Sequence, residues 1–117
     1  MAILQPNSNI PFDITRLSHV VLTSSDLDAT RYFYESGLGL EVTFQDSERL
    51  ALRAIEEHGL FSLMFEKVEG DGPGKCRAIG YRMYTDDDIR RAYDWFSSRG
   101  VPAAIVERPV QGLTLRI

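Results

Sequence analysis

The chain has 117 residues, 13 lysines and arginines against 17 aspartates and glutamates, and a formal net charge of −4. That length holds one domain around one core, and the acidic balance excludes the basic footprint of a nucleic-acid-binding protein. An apolar fraction of 44% and a charged fraction of 26% describe an ordinary soluble globular protein, with no apolar run approaching a membrane span.

The first residues, "MAILQPNSNIPF", lack a basic start and an unbroken apolar block, so they are not a signal peptide. Residues 1–14 read as an N-terminal arm. Leu17 to Thr23 is apolar and β-branched, a strand. Ser25-x-x-Asp28 has the form of a capping box, and Ala29, Tyr32, Phe33 and Ser36 then give a helical stripe, with "GLG" at 37–39 as its stop. Strands follow near 40–45, 49–55 and 60–66, separated by the turns "DSE" and "EEHG". "KVEGDGPGK" is a glycine-rich connector.

Beyond it a strand at 77–84 leads into Thr85-x-x-Asp88, a second capping box. Ile89, Ala92, Tyr93 and Phe96 form one apolar helical face, Gly100 stops the helix, and strands follow near 102–107 and 112–117. A shift of 61 residues brings Asp26 onto Asp87, Tyr32 onto Tyr93, Gly39 onto Gly100 and Leu40 onto Val101. Two βαβββ modules of about 55–60 residues are therefore expected, the first at 15–69 and the second at 76–117, together forming one α+β domain at 15–117. "GLTLRI" ends the chain where the second module has shown only three strands, so its final strand is expected to be missing. The exposed edge that results would lose ~1.5–3 kcal/mol for each apolar side chain left uncovered and would favour a homo-oligomer that covers it.

Paired βαβββ modules opening with "HVVLTSSDLDATRYFYESGLGL" resemble the vicinal oxygen chelate superfamily, which includes glyoxalase I, bleomycin-resistance and other antibiotic-sequestering proteins, and the type I extradiol dioxygenases. "LALRAIEEHGLFSLMFEK", with Arg53, Glu56, Glu57 and Leu63, is similar to a segment in the N-terminal domain of the extradiol enzymes, especially the catechol and homoprotocatechuate 2,3-dioxygenases. The likeness runs from about Arg16 to Ile117 and implies the curved mixed sheet of that fold. It also implies a non-catalytic companion domain. In the parent enzyme Fe(II) or Mn(II) is held by two histidines and a glutamate of a C-terminal catalytic domain, which is the implied partner. This chain departs from several of those relatives in carrying Leu60 and Phe61 where they have a histidine pair.

Two histidines are present. His19 lies where glyoxalase-like enzymes place a metal ligand, but its repeat partner is Gly80, and Leu63 stands near where the superfamily's chelating modules carry a glutamate, with Glu66 at the strand's end. His58 falls in a turn. A facial metal site needs two imidazoles and a carboxylate on one open face, so no metal, cofactor-binding or catalytic residue is expected. His19 enters as a ligand only under an alternative reading, a stand-alone glyoxalase-like metalloenzyme completed across a dimer. A third reading is a metal-free protein that sequesters a small aromatic molecule. The acidic run Asp86–Asp88 is read as helix N-terminal charge, Glu56 and Glu57 as a family marker, the "YFY" and "YDWF" clusters as core rings, and the lone Cys76 as a passive thiol suited to a reducing cytoplasm.

Overall fold

A computed structural model describes residues 9–108 and 111–117; the first eight residues of the expected arm lie outside the described residues. The elements run β1 (Ile14–Ser24), α1 (Leu27–Arg31) continued by a π-helical segment (Tyr32–Gly37), β2 (Glu41–Gln45), β3 (Arg49–Arg53), β4 (Leu63–Lys67), β5 (Cys76–Met83), α2 (Asp86–Ser98), β6 (Ala104–Arg108) and β7 (Gly112–Arg116). This is the expected order, βαβββ followed by βαββ. The chain divides into two compact units, Leu17–Tyr81 and Arg82–Ile117 with the N-terminal residues up to Arg16.

In the first unit the sheet order is β2-β3-β4-β1-β5. Strand β4 runs parallel to β1, with Val20 beside Leu63 and Ser24 beside Lys67, and antiparallel to β3, with Leu52 beside Leu63. A bulge at Thr43 breaks the β2–β3 register between Val42 and Phe44. Leu50 and Leu52 are 0% exposed and form the core with Leu27 and Phe65, against which Leu22, Tyr34, Leu40, Val42 and Leu63 pack. The period-two spacing of Leu50 and Leu52 puts both on one face of β3, the face covered by the first helix.

Two local expectations are corrected here. The cap of α1 is Asp26, not Ser25: Asp26 Oδ1 accepts the Ala29 amide at 3.0 Å. Ser24 takes part from the other side, its hydroxyl accepting the Asp26 amide at 3.1 Å and bonding Thr30 Oγ1 at 2.7 Å. A carboxylate one residue before the helix satisfies a free amide and meets the positive helix end, which favours Asp26 over its serine neighbour. The apolar stripe is also different. Tyr32 and Phe33 are 74% and 56% exposed, and Leu27 and Tyr34 are the core residues. Leu27, Thr30, Arg31 and Tyr34 are less exposed, at i, i+3, i+4 and i+7, so the inward face keeps the helical period but lies on a different side from Tyr32 and Phe33. π winding closes the helix, with the Leu38 amide bonding back to Phe33 O at 3.1 Å.

In the second unit the Thr85 capping box forms as expected, and Gly100 ends the helix at φ +75°, a conformation glycine adopts without strain. Ile89 and Ala92 are buried and α2 packs on β6 and β7. Asp88 is 2% exposed and gathers four donors: the Thr85 hydroxyl at 2.6 Å, Arg91 Nη2 at 2.7 Å, the Thr85 amide at 2.9 Å and the Asp13 amide at 3.1 Å. Arg91 Nε also donates to Pro11 O at 2.8 Å, and the Phe12 ring sits 5.8 Å from both Trp95 and Phe96. The described part of the arm is thus clasped to α2 by charge and aromatic packing together. Strands β6 and β7 form their own two-stranded antiparallel sheet, and among the described residues no strand lies beside β7 as β4 lies beside β3.

Candidate functional site

Strand β1 carries His19 as one of its half-buried residues. Its imidazole lies against the backbone of β5 at Gly80: a Cβ built there would stand 2.5 Å from Nε2 and 2.6 Å from Nδ1, and closer still to Cε1. The Phe61 ring, just before β4, approaches at 5.1 Å with the two planes 65° apart, an edge-on contact. Nδ1 lies 3.2 Å from the Ser18 hydroxyl. The surroundings of His19 thus include a glycine backbone, an aromatic edge and a hydroxyl.

The other residues singled out in the sequence do not join it. His58 is exposed in the turn between β3 and β4. Leu63 packs against the core, and Glu66 pairs with Arg77 at 3.0 Å. Asp87 pairs with Arg90 and Asp88 turns inward, which accounts for two members of the acidic run. Cys76 is exposed, its thiol 3.7 Å from Ala78 O. Among the described residues no three of His, Cys, Asp and Glu come together as a metal-binding group. One imidazole with a hydroxyl and a phenyl edge does not fit the three-ligand facial site that the fold family implies.

A polar cavity of about 400 Å³ lies where the start of α1 meets the β2–β3 turn, lined by Asp26, Asp28, Gln45, Asp46 and Lys67 among others. Its carboxylates are already engaged, Asp26 and Asp46 by backbone amides and Asp28 by a side chain. Asp46 accepts the Glu48 and Arg49 amides at 2.8 and 2.7 Å, and these bonds, the Glu48 amide foremost, hold its carboxyl below the usual range. Arg31 donates to Gln45 at 2.8 Å, and Gln45 to Asp28 at 3.3 Å. Arg31 also pairs with Glu35 at 2.8 Å, and the hydrogen bond lowers the Glu35 pKa and raises that of Arg31. A shallower depression of about 420 Å³ is lined by Pro11, Arg91, Asp94, Trp95 and Ser98, and Arg99 lies 3.9 Å from the Trp95 ring centre. Sequence reasoning missed the seating of His19 on Gly80, although the repeat had aligned those two positions.

Homoprotocatechuate 2,3-dioxygenase from B. fuscum superposes with a TM-score of 0.80 at 29% identity, over 95% of this chain and 31% of its own. Its anaerobic complex with 3,4-dihydroxyphenylacetate gives 0.80 at 28%, over 95% and 35%. A room-temperature structure of an extradiol ring-cleaving dioxygenase from B. fuscum gives 0.80 at 27%, over 95% and 31%. The chain thus spans about a third of the length of these solved structures. No curated protein sequence matches. The family model that matches, over residues 16–113, is that of the Glyoxalase/Bleomycin resistance protein/Dioxygenase superfamily, and the chain belongs to that superfamily.

Proposed function

We propose that this chain is the N-terminal, non-catalytic domain of an extradiol ring-cleaving dioxygenase of aromatic catabolism, acting in the cytoplasm. Its modules at 15–69 and 76–117, with the arm at 1–14, serve to stabilise a C-terminal catalytic domain and to build subunit contacts. The observation that carries this reading is the pair of coverages: 95% of this chain fits onto 31% of a homoprotocatechuate 2,3-dioxygenase chain. The donor set around His19 supports it further. Ring cleavage in such a parent draws on Fe(II) or Mn(II) bound in the catalytic domain, where a divalent ion offers open coordination positions.

The test is oxygen uptake by the purified chain with 3,4-dihydroxyphenylacetate or catechol, after incubation with Fe(II) or Mn(II). The expected result is no consumption above metal and substrate alone. Turnover by the isolated chain that disappears in His19→Ala would overturn the proposal in favour of a metalloenzyme assembled from these modules.

A further inference from the structure

We infer that His19 is a packing residue that closes the chelating position of the first module, its imidazole filling the side-chain space that Gly80 leaves empty. The inference is independent of the proposed parent enzyme, because it concerns only β1, β5 and Phe61, two residues before β4.

Three observations converge on it. Both ring nitrogens lie within 2.6 Å of the place a Gly80 Cβ would occupy, so the ring is pressed against the strand backbone. Phe61 contacts the ring at 5.1 Å, and Ser18 Oγ is 3.2 Å from Nδ1. A ligating imidazole instead aims a lone pair at an ion about 2.0–2.1 Å away, with further donors converging on the same point. Among the described residues no three side chains of metal-ligand type converge.

The physical reason for the arrangement lies in β5. It is the last strand in the sheet order, and Gly80 stands inside it. Glycine weakens a strand interior through backbone entropy and the lack of a side chain to pack. An aromatic ring from the neighbouring strand laid over such a glycine restores the missing contact. Gly80 does not have a positive φ, so space alone, and not backbone conformation, keeps a larger residue out. The two positions that the internal repeat pairs have become one packed unit: a ring on one strand and its seat on the other.

The experiment is a double-mutant cycle on the 117-residue chain, with urea unfolding of wild type, Gly80→Ala, His19→Ala and the double variant. Gly80→Ala is expected to lower the folded-to-unfolded ratio at least about tenfold. In the His19→Ala background the same change is expected to raise the ratio about two- to fivefold, since alanine then brings only its strand advantage over glycine. Should Gly80→Ala fail to fold alone, folding of the double variant gives the same answer. His19→Phe is expected to hold the ratio within about threefold, because the ring and not its nitrogens does the packing. Equilibrium dialysis against Mn(II), anaerobic Fe(II) and Zn(II) is expected to leave wild type and His19→Ala equally free of stoichiometric metal. Equal cost of Gly80→Ala in both backgrounds, or one ion per chain lost on His19→Ala, would overturn the inference.

Discussion

Replacing Leu52 by alanine probes the core of the first unit most directly. Leu52 is 0% exposed and stands in the middle of the β2-β3-β4 ladder, opposite Val42 on one side and Leu63 on the other. Three carbon groups leave the core, worth ~2.4 kcal/mol at ~0.8 kcal/mol each. A cavity term adds to this, because both neighbouring strands are held by backbone hydrogen bonds and cannot close the gap. The expected total is about 3–4 kcal/mol, inside the range of about 2–5 kcal/mol for buried leucine truncations. Urea unfolding followed by far-UV circular dichroism should show a lower midpoint with an unchanged slope. Ile55→Ala, at a side chain 93% exposed, serves as the comparison and should stay within about 0.5 kcal/mol. A Leu52→Ala cost under about 1 kcal/mol, or one equal to that of Ile55→Ala, would refute the placement of the core.

Asp88 sets the acid limit of the second unit. The Thr85 hydroxyl first, and then Arg91, pull its pKa from 3.8 to about 2. Stabilisation from a carboxyl depressed in the folded state is complete above its unfolded pKa and is lost as pH falls through the folded one. Unfolding free energy should therefore decline between about pH 4 and pH 2, and Asp88→Asn should flatten that decline. The part of the whole-chain slope that remains comes from Glu35 and Asp46 of the first unit, which are also lowered. An unaltered acid slope in Asp88→Asn would count against the clasp. Phe12→Ala removes two aromatic contacts to α2, each worth about 0.5–1.5 kcal/mol. Because Trp95 is the only tryptophan, its emission should shift to the red in the folded variant. An unchanged spectrum would show that Phe12 does not cover it.

The second half of the chain was the more legible in sequence because its helix obeys simple rules. Thr85 and Asp88 cap it, and Ile89 and Ala92 repeat at the spacing of a regular helix and are buried. The first helix defeated the same reasoning. The adjacent rings of Tyr32 and Phe33 suggested a stripe on the wrong face: the inward side follows Leu27, Thr30 and Tyr34 at regular helical spacing, and those two rings face out. Two adjacent polar residues that can each cap a helix hid the true start at Asp26. The element order was legible because duplication supplied two readings of one pattern. The seating of His19 on Gly80 was not, since it depends on the alignment of β1 against β5 and on the direction a ring takes, neither of which a linear pattern encodes.

The β6–β7 ladder has a consequence for handling the protein. It joins Ala104 to Arg116 and Arg108 to Gly112 at its two ends, and neither strand has another strand partner among the described residues. A strand edge without a strand partner can template pairing with another chain, so association should rise with protein concentration. The charged ends at Arg108 and Arg116 oppose stacking in register only while salt is low enough for their repulsion to be felt. Dilute, low-salt buffers should therefore keep the chain dispersed, and concentrating it in high salt should turn the solution cloudy.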